Sequence, residues 1–418
     1  MNRARTLTMV VLAAMAFSSV ALSQMTGRGG PRVVSPEVST DGTVTFRVLA
    51  PNAQNVALED NDIGVMLSGG GPGPLAGSTT SAVPVGTKMP QGGVVFTKNA
   101  EGIWEGSFGP LPPGAYRYAF KVDGVRVLDP VNTRMSESNA SVWNMFTVSG
   151  SPLMDTRDVP HGAVAEVYYY SKVLKTTRRM HVYTPAGYEA SNKKYPVFYL
   201  LHGAMDTDDA WTSVGRAGFI LDNLIADNKA KPMIVVMPAG HQPGQPGIPG
   251  LGPGAPKTNP FTDEFMTDIM PYVESHYRTI NDRKHRAIAG LSMGGFQTLD
   301  IAFLHLDLFS QVGVFSSGAT LGRRGPASGA QTSAAPAPSP MDEWESAHKV
   351  NLDDAKLKKD LRLLWLATGV DDGLIVNTRS TVDVLKRHGF QPVFKETPGA
   401  HSWFNWRNYL IEFAPQLF

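Results

Sequence analysis

The chain has 418 residues, room for two or three domains, and its 42% hydrophobic and 18% charged residues are globular values. A formal net charge of +1 gives no electrostatic reason to expect nucleic acid or an anionic membrane as a partner. The lack of any cysteine excludes disulfides, lipid-modified cysteine and thiol chemistry.

In chain order, Arg3 and Arg5 precede an apolar stretch from Thr8 to Val20, and Ala21-Leu22-Ser23 puts small residues where a signal peptidase reads. Residues 1–23 therefore read as a secretory signal. The stretch is short for a ~20-residue membrane anchor. Export without disulfides fits a periplasmic or secreted protein, free of the membrane once the signal is removed.

Residues 31–150 read as an all-β unit. Val44, Phe46 and Val48 alternate with polar neighbours, and Pro51-Asn52 ends that strand. Tyr116, Tyr118 and Phe120 alternate in the same way, and Asp123-Gly124 supplies a hairpin turn before Val125 to Val127. Strands of this kind predict a small sandwich of two sheets, with Gly69 to Gly93 as a long loop inside it. This unit carries no cluster of nucleophile, base and oxyanion donors. It is expected to contribute substrate placement or stability, with Trp104 and Trp143 as candidates for a sugar platform.

From about residue 160 the pattern changes. Apolar runs at Pro196 to Leu201, Met233 to Met237, Val312 to Phe315 and Leu361 to Ala367 read as buried strands. Helical patterns at Phe219 to Asp227 and at Phe265 to Tyr277, the latter despite Pro271, separate them. Continuous apolar strands alternating with helices predict a doubly wound, mostly parallel sheet covered on both faces. Gln242 to Lys257 and Gly322 to Pro340 are Pro/Gly/Ala-rich loops. The Gly-Leu-Gly-Pro-Gly run in the first neither follows a strand tightly nor opens a helix, so it is not read as a nucleotide site.

The next apolar run, His285 to Ala289, leads into Gly290-Leu291-Ser292-Met293-Gly294-Gly295 and then a helical pattern. A G-x-S-x-G sequence between strand and helix exposes a serine at a sharp turn, with the glycines removing Cβ atoms that would collide. The N–H of Met293 would face an oxyanion. A serine used in this way needs a histidine and an acid, in the chain order Ser…Asp/Glu…His. His401, in Thr397-Pro398-Gly399-Ala400-His401 after the last strand, fits better than His305, His348 or His388. Asp371 and Asp372, at the C-terminal end of the strand from Leu361, are both candidates for the acid, and spacing does not choose between them. In Leu201-His202-Gly203-Ala204, His202 would brace a loop whose Ala204 N–H is the second oxyanion donor.

The C-terminal part resembles the esterase D-like, feruloyl-esterase branch of the α/β-hydrolases, the carbohydrate esterase family 1 type. The residues that carry the resemblance are YLLHGAMDTDDAW, RAGFILDNLIADNKAKPMIVVMPAGH, GLSMGG, ATGVDDGLI and PGAHSWFNW. The N-terminal part resembles the immunoglobulin-like (E-set) module often fused to such esterases, through VTFRVLAPNAQNVAL, GIWEGSFGPLPPGAYRYAFKVDG and LDPVN. The resemblance implies an α/β-hydrolase sheet preceded by a small immunoglobulin-like sandwich, with the catalytic unit over residues 160–418. It implies Ser292 as nucleophile and His401 as base, favours Asp372 as the acid, and supports Ala204 and Met293 as oxyanion donors.

The function expected is hydrolysis of carboxylic esters, feruloyl or acetyl esters of plant polysaccharide among them, with no metal or organic cofactor. His202, Trp211, His241 and Trp403 are expected near the substrate, the tryptophans as stacking surfaces. Packing of the C-terminal helix is the competing reading for Trp406. A siderophore esterase of the enterobactin type and an inactive carbohydrate-binding protein are the rival functions.

Overall fold

A computed structural model describes residues 33–60, 94–243, 260–320 and 339–418. The expected signal at 1–23, the loop Gly69 to Gly93 and nearly all of the loops 242–257 and 322–340 lie outside the described residues.

Two small sheets form the N-terminal part. One joins β1 (Glu37–Val38), β2 (Val44–Leu49), β4 (Thr97–Lys98) and β5 (Ile103–Phe108). The other joins β3 (Val56–Asp60), β6 (Gly114–Val122), β7 (Val125–Val127), β8 (Met135–Glu137) and β9 (Val142–Val148). Phe46 of β2 meets Tyr118 of β6 and Phe146 of β9, with ring centroids 5.0 and 5.6 Å apart, so the two sheets close over one aromatic core. The alternation in β2 holds: Val44, Phe46 and Val48 are buried, Thr45 and Arg47 half-buried and Leu49 exposed. In β6 it does not. Ala115, Arg117 and Ala119 are as buried as Tyr116, Tyr118 and Phe120. The second face of β6 docks on the C-terminal part instead of facing water, and Arg407 donates to the Ala115 carbonyl at 3.1 Å.

The C-terminal part is built on an eight-stranded sheet. Its strands are β10 (Ala163–Ser171), β11 (Thr176–Thr184), β12 (Val197–Leu201), β13 (Ile234–Pro238), β14 (Arg286–Leu291), β15 (Gln311–Phe315), β16 (Leu363–Gly369) and β17 (Val393–Thr397). Their spatial order is 10-11-13-12-14-15-16-17. From β13 to β17 every pair is parallel, while β11 pairs antiparallel with both β10 and β13. This is the α/β-hydrolase type of sheet. Strands β12 to β16 are almost wholly buried because helices cover both faces, which explains their unbroken apolar runs.

Chain order reverses at β12, whose neighbours are β13 on one side and β14 on the other. In open α/β sheets a ligand binds outside the C-terminal strand ends at such a reversal. The segment read as helical from Phe265 to Tyr277 through Pro271 is helical in two pieces, a π-helix at Phe265–Ile269 and an α-helix at Met270–His276, and a short α-helix at Pro260–Glu264 precedes them. Proline lacks an N–H and crowds the carbonyl four residues back, and the wider π-turn before Pro271 relieves both.

Candidate active site

Strand β14 ends at Leu291, and the helix Met293–Leu304 starts two residues later, so Ser292 makes the whole turn. It does so at φ 52°, ψ −116°, a left-handed conformation costly for a residue with a Cβ. Neighbours hold it there. Its N–H donates to the Phe315 carbonyl at 2.9 Å, and Ser317 Oγ donates to its carbonyl at 2.6 Å. The flanking glycines are required by contact. A Cβ on Gly290 would lie 2.3 Å from the carbonyl of Gly294, and one on Gly294 would lie 2.6 Å from the carbonyl oxygen of His202. The turn therefore folds tightly on itself and rests against the end of β12.

His401 Nε2 is 3.0 Å from Ser292 Oγ, and its Nδ1 is 2.9 and 3.1 Å from the two oxygens of Asp372. A carboxylate only accepts, so Nδ1 carries the hydrogen and Nε2 offers its lone pair to the serine hydroxyl. The Asp372 side chain is fully buried. Burial alone would raise its pKa, but the hydrogen bond and charge of His401 and the N–H of Leu374, 2.8 Å away, together bring it below the ordinary aspartate value. Asp371 is exposed, and only its backbone takes part, donating to the Gly399 carbonyl at 3.1 Å. The carboxylate that faces the imidazole is thus that of Asp372. The loop after β16 and the loop after β17 are laced together by this bond and by Val370 N–H to the Thr397 carbonyl, 2.8 Å. Trp406 meets the His401 ring edge-on, with centroids 4.9 Å apart, and fixes its plane.

The loop after β12 passes beside the serine: a Cβ on Gly203 would lie 3.4 Å from Ser292 Cβ. Among the described residues neither the Ala204 nor the Met293 N–H meets a protein acceptor. The Met293 group is the first of its helix, where N–H groups are unpaired and the helix dipole is positive. Two donors beside one hydroxyl suit a tetrahedral oxyanion.

His202 is buried, and both ring nitrogens are occupied. Nδ1 donates to the Gly203 carbonyl and Nε2 accepts from Gly240 N–H, each at 2.8 Å. Burial lowers its pKa and keeps the ring neutral. It ties the loop after β12 to the loop after β13, so the expectation that it contacts substrate is corrected. The same correction applies to two tryptophans. Trp211 and Trp403 are 0% and 1% exposed and pack edge-to-face at 5.0 Å, with Trp211 Nε1 donating to the Leu201 carbonyl at 3.1 Å. They offer no free ring face to a ligand and belong to the core under the C-terminal helix, as does Trp406. His241 is half-buried, with its ring 5.3 Å from that of His202.

Two residues near the site escaped the sequence reading: Asp206, just past the loop, and Arg117, which reaches it from β6 at 2.6 Å. Asp206 was in plain view, but its partner lies 89 positions away.

Residues 171–417 match the family described as "Putative esterase". The chain belongs to this esterase family. It is therefore a carboxylic ester hydrolase by family. An endo-1,4-beta-xylanase/feruloyl esterase of Xylanibacter ruminicola is 27% identical over 92% of this chain, which spans 46% of that protein's length. The ferulic acid esterase of the anaerobic fungus Anaeromyces mucronatus is 29% identical with a TM-score of 0.52, covering 64% of this chain and 94% of that one. The enterobactin esterase of Shigella flexneri shares the fold over 89% of this chain and 92% of its own, at 14% identity and a TM-score of 0.53.

Proposed function

We propose that this esterase is a secreted serine hydrolase that cleaves carbohydrate-linked esters, feruloyl or acetyl, through Ser292, His401 and Asp372. The observation that carries the reading is the unbroken run from Asp372 through His401 to Ser292 Oγ, at 2.9 and 3.0 Å, beside two unpaired N–H groups. The feruloyl preference rests on the relatives named above.

His401 takes the proton of Ser292 as the hydroxyl oxygen attacks the ester carbonyl, and the Ala204 and Met293 N–H groups hold the oxyanion. The imidazolium, stabilised by the ionised Asp372, then protonates the leaving alcohol, a sugar hydroxyl in the favoured substrate. Water activated by the same histidine attacks the acyl-serine and releases the acid. His241 would line the mouth of the cleft. We infer the division into a signal at 1–23, an immunoglobulin-like unit at 31–150 and a catalytic unit at 160–418 from the sequence pattern and the separate sheets.

A fluorophosphonate probe is expected to label the protein at Ser292, and the absence of labelling would favour an inactive carbohydrate-binding protein. Methyl ferulate, acetylated xylan, short p-nitrophenyl esters and a catecholate tri-ester, assayed side by side, test the substrate class. The last is included because the enterobactin esterase matches the fold of nearly the whole chain. Turnover of the catecholate ester alone would overturn the carbohydrate-ester reading.

A further inference from the structure

We infer that the N-terminal sheets hold the oxyanion loop in its working geometry, with Arg117 as the positioning residue. This rests on the reading of Ser292 and Ala204 given above. Gly203 to Asp206 form a turn closed by Asp206 N–H to the Gly203 carbonyl at 3.1 Å, and Ala204 lies inside it. The orientation of the Ala204 N–H therefore depends on where both ends of the turn are fixed. His202 holds the first end. The second end, Met205 and Asp206, is held from the N-terminal part.

Arg117 Nη1 donates to Asp206 Oδ1 at 2.6 Å, with the two side chains 0% and 5% exposed. The guanidinium is itself aimed by β8, since Nε donates to Ser136 Oγ at 2.9 Å and Nη2 to the Glu137 carbonyl at 3.0 Å. The tip of the β8–β9 hairpin adds backbone bonds. Ser138 bridges to Asp206 in antiparallel fashion, and Asn139 N–H donates to the Met205 carbonyl at 3.0 Å. Glu137 N–H donates to Asp209 Oδ2 at 2.9 Å. Three consecutive hairpin residues thus clamp the segment that follows Ala204. A sandwich serving only to bind polysaccharide would not need a buried ion pair directed at this turn. The geometry is that of a rigid support for a donor that acts in the transition state.

The test uses the full chain. Arg117→Met removes the charge opposite Asp206, Arg117→Lys keeps it, and Asn139→Pro deletes one hairpin donor at an exposed position. Thermal melts establish folding, and kcat and KM are measured on p-nitrophenyl acetate together with the inhibition constant of an arylboronic acid. Arg117→Met is expected to lower kcat by about 10²-fold, the effect of an ångström-scale misplacement, with KM unchanged. Boronate binding should weaken in step, because its tetrahedral adduct needs the same donors. The pH profile of kcat/KM should keep its midpoint, because the His401–Asp372 pair is untouched. Arg117→Lys should recover part of the loss, and Asn139→Pro should fall between wild type and Arg117→Met. A folded Arg117→Met enzyme with wild-type kcat, a loss that lies in KM, or a displaced pH profile would each overturn the inference. If Arg117→Met does not fold, Asn139→Pro decides, and a wild-type kcat there overturns it. Ser292→Ala run in parallel separates the two readings. Activity retained in that variant defeats the nucleophile assignment, whereas a dead Ser292→Ala beside a normal Arg117→Met defeats only the support.

Discussion

Ser292 and His401 share a single proton transfer, so their losses should not multiply. Ser292→Ala and His401→Ala are each expected to reduce ester hydrolysis by several orders of magnitude, leaving only the roughly 10³–10⁴-fold advantage over water that binding and oxyanion donors supply. The double variant should be little worse than either, and measured losses that multiplied would contradict a joint role. The two aspartates make a sharper comparison. Asp372 is buried against Nδ1 of His401, while Asp371 points to water. Asp372→Asn is expected to cost about 10⁴ in kcat, because an amide cannot enforce the Nδ1–H tautomer or stabilise the imidazolium. Asp371→Asn should be close to wild type, and the reverse order in steady-state kinetics would move the acid. Spacing left this pair open because one residue of slip at a strand end exchanges a buried for an exposed side chain. The serine and histidine were legible because each is held by local sequence: Gly290 and Gly294 around one, a loop between the last strand and last helix for the other. Trp211 and Trp403 were misread because a large aromatic near a catalytic loop looks the same in sequence whether it faces a ligand or the core.

At the scale of elements, strands β12 to β16 were readable as buried, and their order in the chain predicted the parallel sheet. The antiparallel β10–β11 pair at its edge was not resolved as separate strands. β10 is exposed along most of its length, so it lacks the apolar run that marked the others. One cluster ties this edge to the segment following the oxyanion turn. Asp208 accepts from His181 Nδ1 on β11 and from Arg179 Nε, both at 2.8 Å. Burial would raise the Asp208 pKa, but the hydrogen bonds and charges of His181 and Arg179 outweigh it and bring it down to about 2. Against an ordinary aspartate near 3.9, that difference amounts to roughly 2–3 kcal/mol of stability. Because the folded value is the lower one, this contribution is complete above about pH 4 and fades as the pH falls towards 2. Asp208→Asn should therefore melt earlier than wild type at pH 7, and the gap should narrow on acidification through that window. A gap that stays constant or widens between pH 5 and pH 3, on the order of those values, would mean that Asp208 acts through packing alone.

For the whole molecule, alternation in β2 and β6 predicted a small sandwich, and the sequence pattern did not say what its outer face meets. The outer face of β6 is buried, Arg117 lies over the Trp403 ring at 5.9 Å, and Arg407 of the C-terminal helix bonds the carbonyls of both Ala115 and Val214. Arg216 and Asn223 reach back to the Met154 and Leu153 carbonyls at 2.6 and 3.1 Å. These contacts join residues far apart in the chain and leave no periodic trace, so a pattern that separates a β region from an α/β region says nothing of how they share a core. The consequence is testable by starting the chain near Asp158. The remaining protein would expose the apolar surface around Trp403 and Trp406 and lose every hairpin contact to the oxyanion turn. It is expected to associate through that surface, and its soluble fraction should turn over p-nitrophenyl acetate about 10²-fold more slowly, as a misplaced donor would require. Size-exclusion chromatography with kcat measured on the monomer peak checks both parts. A monomer with the kcat of the full chain would mean that the catalytic sheet and its loops hold the oxyanion turn unaided.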